Sequence, residues 1–176
     1  MYKRILAIAG RETARDASAE RRLDGERVWR ELEKASFAVL GHVTPAGAPR
    51  SSGVVYGVEG RRLVVLTAAD SWKARQICDG DEVAVTVPIR RGGLLSLVAP
   101  IPPATISFTA RVTVHPAGSV SVASVAPQLA ARLPRDRQAG CLLELVPRGA
   151  FLTYGVGVPL PDLARPATAL AHVPVS

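Results

Sequence analysis

Residues 50–77, Arg-Ser-Ser-Gly-Val-Val-Tyr-Gly-Val-Glu-Gly-Arg-Arg-Leu-Val-Val-Leu-Thr-Ala-Ala-Asp-Ser-Trp-Lys-Ala-Arg-Gln-Ile, narrow the folds open to this chain more than any other stretch. Valine, tyrosine, leucine and threonine dominate two short runs, and Glu59-Gly60 makes a tight turn between them, so the segment begins as a β-hairpin. Past Thr67 the chain turns a polar corner at Asp70 and Ser71 and opens a helix carrying Lys73 and Arg75. A hairpin returns its far end beside its start. Arg50 is therefore expected next to Lys73, close to the free N–H groups that begin the helix. Three sources of positive potential on one spot suit a phosphate.

The same pattern of short strands and turns continues on both sides. Residues 36–43 read as a first strand, followed by the turn Thr44-Pro45-Ala46-Gly47-Ala48-Pro49. Residues 62–67 form the third strand, and the helix of residues 71–79 is ended by Gly80. Alternation predicts further strands over residues 82–88, 104–115, 140–146 and 150–154, with a helix over residues 122–133. Upstream, residues 11–34 are dense in charge and helix formers, and Leu23, Val28, Leu32 and Ala35 mark a narrow apolar stripe. The loop of residues 89–103 is rich in Gly and Pro yet apolar from Leu94 to Ala99, as if it packs against a partner subunit. The organisation is thus a helical extension over residues 1–35, a barrel domain over 36–155 and a Pro-rich tail over 156–176. The fold class is mainly β with flanking helices, six to seven antiparallel strands forming a small barrel.

At 176 residues the chain supports one core. Aromatic residues make up only 5%, so Val, Leu, Ile and Ala must fill it. Of 22 basic residues only three are lysine, the net charge is +7, and no Asp or Glu occurs in residues 83–135, where Arg90, Arg91, Arg111, Arg132 and Arg135 fall. A small anionic molecule suits this distribution. Nucleic acid is disfavoured as a partner because few aromatic rings are available for base stacking.

Cys78 and Cys141 lack Cys-x-x-Cys spacing and sit among apolar neighbours, which reads as two buried thiols in a reducing compartment. His42, His115 and His172 lie in separate segments, with no metal-ligand spacing. No Gly-x-Ser-x-Gly elbow is present, which argues against a hydrolase. The apolar run Ile5-Leu6-Ala7-Ile8-Ala9 ends at Gly10-Arg11-Glu12, too soon for a signal peptide, and no run approaches a membrane span. The expected location is cytoplasmic, with no membrane partner.

Ser71-Trp72-Lys73-Ala74-Arg75-Gln76-Ile77, preceded by Thr67 and by Arg50 at the head of the previous strand, resembles the flavin-binding core of the pyridoxamine 5′-phosphate oxidase-like family. The resemblance extends more loosely from Ser36 to about Tyr154, and it implies a split β-barrel. It also implies that Arg50, Ser71 and Lys73 hold the phosphate of FMN, with main-chain groups near Thr67 facing the flavin ring. Trp72 is adjacent to this set and reads as a packing residue, while Ser51 and Ser52 alternate faces so that one of them approaches the cofactor.

Two departures matter. Val55 stands where the oxidase has a lysine, and nothing in residues 155–176 matches the Arg-x-His cluster that reads the vitamin phosphate. The resemblance therefore implies the cofactor and not that substrate: an FMN-dependent oxidoreductase passing a hydride to or from a small molecule, as a homodimer with the flavin in the cleft between subunits. The alternatives it carries are a reductase using the deazaflavin coenzyme F420, whose oligoglutamate tail suits the acid-free arginine stretch, and a flavin- or haem-binding protein without turnover.

Overall fold

The computed structural model describes residues 23–91, 103–134, 138–163 and 169–175. The apolar loop at Leu94 to Ala99 and the chain before Leu23 lie outside the described residues.

Helix α1 (Gly25–Lys34) starts where Asp24 accepts a hydrogen bond from the Arg27 N–H at 2.8 Å, satisfying one of the free donors of a helix start. It buries Val28, Trp29 and Leu32, so part of the stripe seen in the sequence is the packed face. The Tyr56 hydroxyl donates to the Leu32 carbonyl at 2.7 Å and ties α1 to the barrel. Burial holds the Tyr56 pKa far above its ordinary value, so this hydroxyl stays a donor.

Seven strands follow among the described residues: β1 (Phe37–Val43), β2 (Pro49–Glu59), β3 (Arg62–Thr67), β4 (Glu82–Ile89), β5 (Ala104–His115), β6 (Cys141–Tyr154) and β7 (Leu170–Pro174). Their order is β3-β2-β1-β4-β5-β6-β7, all neighbours are antiparallel, and β3 also pairs with β6. Six strands therefore close on themselves, and β7 adds to the outside of β6. Closure removes the open edges that a flat sheet would leave for aggregation.

One pairing is incomplete. Residues Pro49 to Val55 of β2 pair with β1, whereas β2 meets β3 only from Tyr56 opposite Val65 to Glu59 opposite Arg62. β3 pairs with β6 from Leu63 to Thr67, so beyond Val65 it has β6 alone as a partner. The two strands of the hairpin therefore part company just where the sequence carries its candidate residues.

Alternation puts Ala38, Leu40, Val54, Leu63, Val65, Val85, Ile106 and Leu145 inside. Phe151 is fully buried and meets Trp29 and Phe108 edge-on, with ring centroids 5.6 Å and 5.2 Å away. Outside the barrel, Val64 and Leu142 pack against α3 (Val122–Val125) and α4 (Pro127–Arg132).

Several expectations are corrected. The helix expected over residues 122–133 is two short helices, because Pro127 has no N–H to continue the first and its fixed φ suits the first turn of the second. The two strands expected over residues 140–154 are one. Opposite it the register shifts between Ser107 and Thr109, and Gly149 adopts φ +70°, so a bulge bends the strand without ending it. Within the Pro-rich tail, Leu170–Pro174 makes a regular edge strand.

Helix α2 (Trp72–Gln76) is shorter than expected and ends before Gly80. Asp81 accepts from the Cys78 N–H at 2.8 Å, and the Gly80 N–H bonds the Val112 carbonyl at 2.9 Å, so this turn belongs to β5 and not to the helix. Cys78 is consequently exposed, which corrects the reading of two buried thiols. Cys141 is buried, and desolvation raises its thiol pKa. No helix among the described residues is long and apolar enough to cross a membrane.

Candidate functional site

Where β2 leaves β3, a cavity of about 550 Å³ opens between Val55, Leu66, Thr67 and Ala68 on the strands and Leu129, Leu133, Pro134 and Ala139 beyond them. That volume is in the range of small-molecule sites, and the lining is mainly apolar with a polar end. Val55 is 65% exposed, an unusual state for a valine in the middle of a strand. Pro49 to Val55 have a sheet partner on β1 alone, so the β2 edge that turns away from β1 has main-chain groups without a strand partner.

The polar end is built by the corner after β3. Thr67 is buried, and its hydroxyl lies 3.0 Å from that of Ser71. Ser71 in turn accepts from the Ala74 N–H at 3.2 Å and so caps α2. Trp72 stacks on His42 of β1, with centroids 5.2 Å apart and planes inclined by 22°, and the Lys73 ammonium sits 5.4 Å from the Trp72 ring centre. Trp72 is thus held by packing on His42.

Register puts the two serines on opposite faces of β2. Ser52 lies opposite Leu40 and shares the inward face with Val54 and Tyr56, whereas Ser51 faces out and is exposed. The buried Ser52 hydroxyl has no hydrogen-bond partner among the described residues. Arg50 lies opposite His42 at the rim of the barrel, exposed and without an ion pair among the described residues.

Of the residues singled out in the sequence, the structure brings Thr67 to Ser71, and Trp72 to Lys73. No hydrogen bond, ion pair or ring contact among the described residues joins Arg50 to Ser71 or Lys73, and Arg50 is linked to them only through its neighbour His42 and the Trp72 ring. Sequence reasoning missed the cavity wall, because Leu129 and Leu133 look like ordinary helix core. It also missed His42, which gave no signal beyond its place in the β1 alternation.

These residues fit a flavin nucleotide. The apolar walls suit a flat ring system, the Thr67–Ser71 end suits polar groups, and neither Arg50 nor Lys73 has a carboxylate partner among the described residues. Chemically, such a site can bind a ring, shield one face from water and neutralise an anion.

No protein-family model and no curated protein matches this chain. Solved structures do. The haem storage protein HutZ from Vibrio cholerae is 18% identical with a TM-score of 0.57, the match covering 76% of this chain and 96% of that one. A haem-binding protein from Mycobacterium smegmatis is 16% identical with a TM-score of 0.56, over 76% of this chain and 55% of that one. An FAD-binding protein from the same organism is 11% identical with a TM-score of 0.51, over 71% of this chain and 90% of that one. At these identities the likeness is one of architecture, a closed six-stranded barrel with an added strand. The chain has the split β-barrel fold that these structures share.

Proposed function

We propose that this chain is a flavin-dependent oxidoreductase that holds FMN in the cleft where β2 leaves β3 and passes a hydride to or from a small substrate. The observation that carries this reading is the apolar cavity of about 550 Å³ ending on the Thr67–Ser71 pair. FMN, when bound, supplies the hydride chemistry. The chain's own residues need only bind, orient and exclude water. Arg50, Ser71 and Lys73 neutralise the phosphate, main-chain groups near Thr67 and along the free edge of β2 orient the ring, and Val55, Leu66, Leu129 and Leu133 dry one face. That division of labour accounts for a site without an obvious acid or base. The reading includes a homodimer, supported by Phe37, Val43 and Val55, which are exposed on β1 and β2.

The visible spectrum of the purified protein, followed by FMN titration, tests the proposal. Replacing Lys73 by Ala is expected to weaken FMN binding by about 1.5–3 kcal/mol, the worth of a hydrogen bond to a charged group, with the fold intact. An unchanged dissociation constant would remove Lys73 from the site.

A second reading, the deazaflavin coenzyme, is favoured by the acid-free arginines, among which Arg132 ends α4 beside the cavity. An oligoglutamate tail adds carboxylates that FMN lacks, so its extra affinity should fade as salt rises. Isotherms for both coenzymes at low and high ionic strength decide this: tighter, salt-sensitive deazaflavin binding displaces FMN as the cofactor. Two of the structural neighbours are haem proteins, and a haem band in the purified protein would favour a binding role without turnover.

A further inference from the structure

His42 is the histidine that β1 turns into the barrel. Ala38 and Leu40 share its face, Phe37 and Val43 lie exposed on the other, and only 7% of His42 is accessible. Buried histidines are ordinarily held by hydrogen bonds through one or both nitrogens. Here neither Nδ1 nor Nε2 meets a hydrogen-bond partner among the described residues. What holds the ring is its flat face against Trp72, at 5.2 Å and 22°.

The other side of that contact needs such a support. Helix α2 has five residues, too few to persist alone, and none of them is buried. It is fixed by the Ser71–Thr67 hydroxyl contact at its start, by Ala74 packing on the core, and by Trp72 on His42. Lys73 rests on the Trp72 ring, so the position of the ammonium follows the position of the indole. A chain of contacts thus runs from the barrel interior to the proposed phosphate ligand.

We propose that His42 is a positioning residue for the anion-binding segment Ser71-Trp72-Lys73: its imidazole face sets the Trp72 ring, and the ring sets the Lys73 ammonium. The inference rests on the phosphate reading above. It assigns a role to the ring's face and none to its nitrogens, which separates it from any role in acid–base chemistry.

The test compares FMN with riboflavin, which lacks the phosphate, in the full chain. His42→Ala is expected to weaken FMN by about tenfold, the upper end of what an aromatic pair contributes, while leaving riboflavin unchanged. His42→Phe keeps a flat face without nitrogens and is expected to retain FMN affinity within about twofold. His42→Leu, which fills the volume without a flat ring, replaces the alanine variant if the cavity unfolds the barrel. An FMN-to-riboflavin ratio that stays at the wild-type value in both His42→Ala and His42→Leu overturns the proposal, as does a His42→Phe loss equal to theirs.

Wild-type protein that binds FMN no better than riboflavin sinks the phosphate reading instead. In that case the ring-current shift of the Lys73 ε-methylene protons still decides the positioning. Its loss in His42→Ala and retention in His42→Phe support the contact chain, and an unaltered shift in His42→Ala overturns it.

Discussion

Phe151→Ala is expected to lower the stability of the folded chain by about 3–5 kcal/mol, the usual cost of truncating a fully buried aromatic side chain. Phe151 has no accessible surface and joins three elements: it meets Trp29 of α1 at 5.6 Å and Phe108 of β5 at 5.2 Å, both edge-on, from its own place on β6. Such edge contacts add to the area buried, since the positive rim of one ring meets the negative face of the next. With aromatic residues at 5% of the chain, few other rings stand ready to fill the void. The loss should therefore appear in full. Urea unfolding measures it as a lower midpoint with an unchanged m-value, and Phe151→Leu should recover much of the deficit. A cost below about 1.5 kcal/mol for the alanine variant would mean that this cluster is not the centre of the core.

Glu59→Ala is expected to cost about 3 kcal/mol and, if the cavity holds FMN as proposed, to weaken that binding as well. Glu59 ends β2, is 7% exposed, and its carboxylate accepts from the Gln128 N–H at 2.7 Å and the Leu129 N–H at 3.1 Å. Ala126, which precedes α4, makes no side-chain cap, so a residue almost seventy positions away in the chain supplies it. Hydrogen bonds to a charged acceptor are worth about 1.5–3 kcal/mol each, and the alanine variant leaves two helix-start donors, that of Leu129 buried, without a partner. Leu129 and Leu133 form the far wall of the cavity, so loosening α4 should open the site. Glu59→Gln keeps an acceptor oxygen and is expected to lose less on both counts. Equal losses in the two variants would show that the cap is not what fixes α4.

The strands were legible because alternation and turns are local properties. The expected β3 and β5 coincide with the observed Arg62–Thr67 and Ala104–His115, where the inward residues are apolar apart from Thr67 and the ends are marked by turn residues. β7 was not legible, since Leu-Ala-His-Val-Pro is short and ends in proline; it is stable only because β6 offers an edge to pair with. The exposure of Cys78 was missed for a related reason. Asp81 and Val112 recruit the backbone after Gln76 into a turn on β5, and the helical pattern of the sequence does not reveal that competition.

Within the site, the same division holds. Thr67 and Ser71 are four residues apart at a polar corner, so their meeting follows from local chain geometry. The meeting of Arg50 with Lys73 was inferred from an ideal hairpin, and β2 and β3 separate before reaching it. The contact of Glu59 with α4, which carries part of the cavity wall, and that of His42 with Trp72 join residues remote in sequence. The sequence by itself determined a mainly β barrel, the placement of most strands and a polar corner beside a strand end, because these depend on side-chain period and turn chemistry. Tertiary structure alone decided where the barrel splits, which helix walls the cavity and what supports Trp72. Those outcomes depend on which distant surfaces find each other on closure, and pairing across the barrel leaves no periodic mark in the chain.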